Sequence, residues 1–418
     1  MRVATIFTLY FEICTLTIVI FGYLGLSLSQ TKQETKTMAQ KTITSSAFGD
    51  SKPHYELLDG LRGVAALLVI WYHVWEGFAF VGGGMIENFN HGYLAVDFFF
   101  MLSGFVISYA YDDRWGKMSL KGFFTRRLIR LHPMLIMGAV VGTITFLIQG
   151  STQWDGTQTP FGWVMLALLL TMFFIPALPG ARYEVRGNGE MFPLNGPSWS
   201  LFFEYIGNIL YALIIRKLST RALKWWTAIL GAALAYFAVM DVSGYGSIGV
   251  GWTIDTVNFL GGLVRMLFPF SLGMVLAREF KPIKVKGAFW ICSALLVILF
   301  AIPYLEGEYL NGLYEIFCIM MVFPILVWIG ASGSTTDNAS TKVCNFLGDI
   351  SYPVYIIHYP FMYLFYYWMM QKPQCPTFGE ALPVVAILII GVIVLAYIIL
   401  KLYDEPVRRW LAKKFIKA

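Results

Sequence analysis

Charge is what this chain has least of. Asp, Glu, Lys and Arg supply 13% of its 418 residues, about half of the roughly 25% found in soluble domains. A soluble domain of any size is excluded. The net charge of +6 is no sign of nucleic-acid binding, because Lys and Arg fall in short clusters between apolar stretches, as topology signals do. Cysteine is sparse and unpatterned: Cys14, Cys292, Cys318, Cys344 and Cys375 are odd in number and show no CxxC spacing. Neither a zinc site nor a disulfide framework is supported. The five histidines form no HExxH-type pair, so no metal is expected. Internal repeats are also missing, which weakens an inverted-repeat transporter reading.

What is present is apolar sequence, 57% hydrophobic with a mean hydropathy of +0.64. Twelve stretches are long enough to span or nearly span a bilayer. The expected fold is all-α, a polytopic helical membrane protein. Residues 1–54 stand apart from a membrane domain over 55–418. They comprise an apolar stretch (4–28, interrupted by Glu12) and a polar linker from Gln30 to Lys52 that contains Met38. An extra anchor helix, a signal-like segment and an early start upstream of Met38 are all compatible with this pattern.

From Asp59 onward the apolar stretches run over 60–80, 93–111, 134–149, 161–178, 199–215, 225–240, 253–277, 287–304, 313–331, 345–369 and 383–402. The basic loops 112–133, 216–224 and 278–286 and the tail after Tyr403 should share the cytoplasmic side. Between the first two of these loops the chain must cross an even number of times, yet three stretches lie there. The stretch 161–178, short and running into Pro176, Pro179 and Gly180, is expected to be re-entrant or to lie on the outer side. Ten crossings remain, with a cytoplasmic C-terminus.

Several ionisable residues interrupt the apolar stretches, where they are costly. Arg62 and His73 lie eleven positions apart in one stretch, near one helical stripe and about 16 Å apart along the axis. A polar path into the bilayer competes here with Arg62 snorkelling to headgroups and His73 packing. Asp97 opens VDFFFMLSGF, which also carries Ser103; it is either a helix cap or the partner of an intramembrane cation. Arg126, Arg127 and Arg130 share a helical face. Three guanidiniums there suit a phosphate-rich ligand such as coenzyme A, against simple positive-inside topology. Glu204 lies two turns into a helix that starts near Pro197–Ser198–Trp199 and needs a partner from elsewhere. Arg265 and His358 complete the set. Singly each is explained by structure; together they argue for a polar cavity.

These pieces, in this order, resemble the acyltransferase-3 family of integral-membrane enzymes that acylate cell-envelope carbohydrates. The resemblance runs from about Tyr55 to Arg409 and rests on LDGLRG with the Arg-x10-His spacing, VDFFFMLSGF, FFTRRLIRLHP, PSWSLFFE, SYPVYIIHYP and the closing Tyr403-Asp404-Glu405-Pro406. It implies that Arg62 and His73 are the family's essential arginine and histidine. It also implies that Arg127 and Arg130 form its coenzyme A-holding Arg-x-x-Arg motif, and that Glu204 is the acidic residue of the Trp-Ser-Leu motif. Asp97, Ser103, Trp199, Arg265 and His358 are expected to line the substrate region or support it. Many members carry a fused esterase-like domain after the membrane part; this sequence stops after its last apolar stretch, so that domain is expected to be absent.

The expected activity is therefore O-acyl transfer, most simply of acetyl from acetyl-CoA, to a hydroxyl of an extracytoplasmic carbohydrate or glycolipid at a bacterial inner membrane. The expected partners are acyl-CoA, that acceptor and membrane lipids, with no nucleic acid. His73 acts as a base or is transiently acylated, and Glu204 can orient its imidazole by triad logic. A proton-coupled transporter or flippase, with His73, Glu204 and His358 as a relay, is the alternative from another class. An inactive sensor or scaffold is disfavoured by the intact Arg62, His73 and Glu204.

Overall fold

In the computed structural model, which describes Lys52, residues 54–82, 90–333, Thr335 and 337–416, every apolar stretch read from Asp59 onward becomes a helix. Apart from Lys52 and His54, the N-terminal stretch and linker lie outside the described residues. In chain order the helices are α1 (Glu56–Val81), α2 (Ala95–Tyr111), α3 (Leu120–Ile148), α4 (Phe161–Met172), α5 (Ser198–Leu213), α6 (Thr220–Val239) and α7 (Thr256–Glu279). They continue with α8 (Ala288–Ala301), α9 (Leu310–Phe317), α10 (Phe323–Ser332), α11 (Asn338–Met370), α12 (Phe378–Ile399) and α13 (Glu405–Phe415). Single π-helical turns, Cys318–Val322 and Leu400–Asp404, join α9 to α10 and α12 to α13. Among the described residues eight helices or helix runs are long and apolar enough to cross a membrane, so the chain is a polytopic helical membrane protein.

Local chemistry sets the helix ends. Ser119, Ser219, Asp255 and Asp337 each accept a bond from a first-turn amide of α3, α6, α7 and α11. Thr377 and Glu380 form a reciprocal capping box on α12, which satisfies amide donors that the helix itself leaves unpaired. Helix α11, although 33 residues long, is not among the eight. Its inward-facing tyrosines and His358 lower its hydropathy, which marks it as the internal polar helix of the bundle.

Ion pairs and aromatic contacts reveal which helix ends lie together. Tyr211, late in α5, donates to Asp112 at 2.8 Å and packs on Phe123, in the first turn of α3, with ring centroids 5.6 Å apart. Arg278, at the end of α7, bonds Asp112 at 2.8 Å and the Leu218 carbonyl at 2.8 Å. Lys224 pairs with Glu279 at 2.8 Å. The basic loops therefore share one end of the molecule. At the opposite end His91 bonds the Ile302 carbonyl, and Tyr93 and the Ile248 amide both bond Glu315.

Helices α3 and α5 thus run in opposite directions, and α4 adds no net crossing between them. At 12 residues, α4 is about 18 Å long, short of the roughly 30 Å hydrocarbon core. Its last carbonyls have no partner within the helix; that of Met172 is met by His132 Nε2 of α3 at 3.0 Å. The chain then turns back at Phe174, whose φ is +59°. This is the re-entrant behaviour expected for 161–178, over a shorter helical span. Phe174 and Ala177 of this turn are buried against the rest of the protein, and irregular backbone within a bilayer depends on such cover.

Two close approaches bring the polar residues into register. A Cβ on Gly63 of α1 would lie 2.3 Å from the Leu347 carbonyl oxygen of α11. Gly104 of α2 and Gly273 of α7 each abut the other helix's backbone, with hypothetical Cβ distances of 1.9 and 2.1 Å to Phe270 and Met101 oxygens. Small residues allow such helix contact where lipid gives no hydrophobic drive.

Candidate active site

His73 lies about 7 Å past the midpoint of α1, away from the basic end. Its Nδ1 is 2.6 Å from Glu76 Oε2, three residues on and therefore on the same face. The same carboxylate oxygen accepts from Tyr366 at 2.8 Å and from Tyr359 at 3.3 Å, both on α11. Tyr366 lies close enough to the His73 carbonyl, 2.7 Å, to share its hydroxyl proton there. The Tyr359 ring meets the imidazole edge-on at 4.5 Å, and His358 stacks on it at 5.3 Å. A carboxylate on Nδ1 favours the neutral tautomer protonated there. Nε2, which makes no hydrogen bond among the described residues, then presents its lone pair. Such an arrangement is chemically able to act as a base with an orienting carboxylate.

The carboxylate on His73 is thus Glu76, whereas Glu204 serves elsewhere. Glu204 Oε1 accepts from Ser103 Oγ and from Arg127 Nη2, each at 2.7 Å. The expectation that Glu204 orients the imidazole is corrected, because α5 carries Glu204 toward the basic end. The missed residue had a signal, His-x-x-Glu on one helix face, which the eye passes over inside an apolar run.

The three arginines of α3 part company. Arg127 is buried against Glu204, Arg126 donates to the Gly122 carbonyl at 3.1 Å, and Arg130 is exposed. Arg62 pairs with Asp59 at 2.7 Å, and Asp59 also meets His54 at 2.9 Å. Arg130 interacts electrostatically with Asp59, His54 and Asp404, and Asp404 binds Arg408 at 2.7 Å. Arg62 therefore belongs with Arg130 at the basic end, about 16 Å along α1 from His73.

Asp97 and Arg265 meet across the bundle. Nε and Nη2 of Arg265 lie 3.0 and 2.9 Å from the two carboxylate oxygens; Nη2 also lies 2.8 Å from the Tyr93 carbonyl, and Trp199 covers the guanidinium at 5.3 Å. Both charged groups are essentially inaccessible. Breaking such a pair by removing one partner costs about 3–5 kcal/mol, which makes Asp97, Arg265 and Trp199 the brace that joins α2, α5 and α7. Glu315, bonded to Tyr93, adjoins this brace and was also missed by the sequence reading.

Among the described residues His358 Nε2, on the ring stacked against His73, has no hydrogen-bond partner, and neither do Ser198 Oγ and both amide atoms of Asn195. His358 Nδ1 is occupied by the Tyr355 carbonyl at 2.7 Å. Among the described residues no group of three or more His, Cys, Asp or Glu is arranged to hold a metal.

The model of a family described as an acyltransferase domain (acyltransferase-3) matches residues 55–401. The acyltransferase MdmB of Streptomyces mycarofaciens is 28% identical over 323 residues, 72% of this chain and 77% of that one. Protein 2 in the picA locus of Rhizobium radiobacter is 34% identical over 167 residues, 37% of this chain and 80% of that one. Peptidoglycan O-acetyltransferase OatA of Listeria monocytogenes is 26% identical over 334 residues, 75% of this chain and 50% of that longer protein. No solved structure matches. With eight long apolar helices among the described residues and a family match that runs over residues 55–401, the chain belongs to the acyltransferase-3 family of membrane proteins.

Proposed function

We propose that this protein is an O-acyltransferase that moves an acyl group, in the simplest case acetyl, from coenzyme A to a hydroxyl of an envelope carbohydrate or glycolipid. The observation that carries the reading is the His73–Glu76 pair, with Nε2 unbonded among the described residues, about 16 Å along one helix from an arginine-rich end. Two relatives are named as an acyltransferase and a peptidoglycan O-acetyltransferase, which supports acyl transfer and a carbohydrate acceptor.

In this reading the basic end is cytoplasmic, in a bacterial inner membrane, with the C-terminus on that side. Arg62, Arg126 and Arg130 attract the phosphates of acyl-CoA, and Arg127 is held ready by Glu204. The pantetheine arm runs inward along α1 and brings the thioester to His73. Nε2 takes the proton of the acceptor hydroxyl as its oxygen attacks the thioester carbonyl carbon. The carbon–sulfur bond then breaks, and the thiolate recovers that proton from Nε2–H to leave as free coenzyme A. Glu76 stabilises the imidazolium formed between the two steps.

The test uses purified full-length protein, radiolabelled acetyl-CoA and envelope polysaccharide. Labelled acceptor should form with the wild-type chain and fall to background with His73→Ala, while the variant still elutes as a folded monodisperse species. Near-normal turnover in that variant sinks the assignment.

A further inference from the structure

A second polar feature lies beyond His73, at the end away from the basic loops. Gln149, just past the end of α3, Thr152, Gln153 and Trp154 of the following loop, and Tyr367 and Gln371 at the end of α11 line a cleft of about 200 Å³. Gln149 is only 2% exposed, yet its Nε2 has no partner among the described residues. Its Oε1 accepts from Nη1 of Arg186 at 3.0 Å. Arg186 is 1% exposed, donates through Nε to the Pro193 carbonyl at 2.6 Å, and has its own Nη2 unpartnered among the described residues. The guanidinium lies 3.4 Å from the Tyr363 ring centroid and 5.4 Å from that of Trp154.

A chain of rings leads from this cleft to the His73 imidazole. Trp154 contacts Tyr363 at 5.9 Å, Tyr363 contacts Tyr359 at 4.6 Å, and Tyr359 contacts His73 at 4.5 Å. That span is on the scale of a short oligosaccharide. The lining combines one indole with three carboxamides, groups that offer an apolar face beside neutral donors and acceptors. A pyranose, with C–H faces and hydroxyl edges, has the matching surface. The two buried groups left without partners among the described residues, Gln149 Nε2 and Arg186 Nη2, are donors, so they call for acceptor atoms on the occupant. Glu184 and Glu190 lie on the same loop and act electrostatically on Arg186, which offsets the local cation. Neutral hydroxyl oxygens suit the cleft better than carboxylate or phosphate.

We propose that this cleft is an acceptor subsite that holds a neutral sugar unit of the saccharide acylated at His73, with Gln149 Nε2 donating to a ring substituent and Trp154 supplying the apolar wall. The assignment rests on the acyltransferase reading above. Binding is measured directly by calorimetry and saturation-transfer NMR on the full chain in nanodiscs. The probes are neutral tetrasaccharides (maltotetraose, cellotetraose and chitotetraose), with tetragalacturonate as the acidic comparison. Gln149→Glu keeps an oxygen for Arg186 but removes the donor; Trp154→Ala removes the wall. Each should weaken neutral-probe binding about tenfold or more and leave acetyl-CoA affinity unchanged. Failure of every neutral probe to bind wild type, a preference for tetragalacturonate, or equal binding by both variants overturns the subsite. Probe binding that the variants lose, in a protein that transfers no acetyl group, upholds the saccharide site and overturns the transferase reading instead.

Discussion

At the residue scale, the decisive pairing is His73 with Glu76. The carboxylate accepts from the imidazole and from two tyrosines of α11, so it fixes both the tautomer and the rotation of the ring. In the proposed reaction Glu76 is a positioning residue, and its removal should cost turnover rather than substrate binding. We predict that Glu76→Gln lowers kcat by about 10²–10⁴-fold with little change in the KM for acetyl-CoA. Rescue by Glu76→Asp should be partial, because the shorter carboxylate reaches Nδ1 less well. An unchanged kcat in Glu76→Gln, measured in purified protein, would show that the ring is held by its stacking on His358 and Tyr359 alone.

At the element scale, α4 is the unusual helix. Three features make it a dip: twelve residues, a C-terminal carbonyl bonded to His132, and an immediate reversal at Phe174. Thr157 before it and Asn188 after it are both exposed. Single cysteines at these two positions, in a background free of the native cysteines, should both react with a membrane-impermeant thiol reagent added from outside. Reaction at position 157 alone would mean that α4 crosses and that the shared basic end of α3 and α5 has been misread. The close contact of α1 and α11 at Gly63 belongs to this scale too, since it brings His358, Tyr359 and Tyr366 level with His73 and Glu76.

At the scale of the whole molecule, charge and chemistry are separated along one axis. Arginines and their carboxylates gather at one end, the histidine pair lies deep, and the carboxamide cleft opens at the other end. An exposed Arg130 and a buried, paired Arg127 should therefore respond differently to mutation. Arg130→Ala is expected to weaken acetyl-CoA binding about five- to tenfold in calorimetry, with thermal stability unchanged. Arg127→Ala should lower stability as well, because it strands Glu204. Raising salt should weaken wild-type acetyl-CoA binding, since exposed phosphate–guanidinium contacts are screened. Equal affinity in Arg130→Ala and wild type, at low and high salt alike, would reduce that residue to a topology signal.

Much of this was legible without coordinates. Apolar runs long enough to cross a bilayer have almost no other stable form than helix, because unpaired backbone groups are prohibitive in lipid. The positions of Lys and Arg grouped the loops, and parity then singled out 161–178. His73 stood out because a titratable group in such a run is costly. Partner choice was another matter. Helical spacing constrains neighbours three and four residues away, but not which face of one helix meets another. Only packing decided that Arg265, 168 positions away, would answer Asp97, and that Glu204 would go to Arg127 and Ser103. Packing also brought Gln149, Trp154 and Arg186 together from loops whose sequence shows no shared pattern. The membrane's demand for satisfied backbone is local and can be read from the chain, whereas the match between polar side chains is a property of helix faces brought into contact.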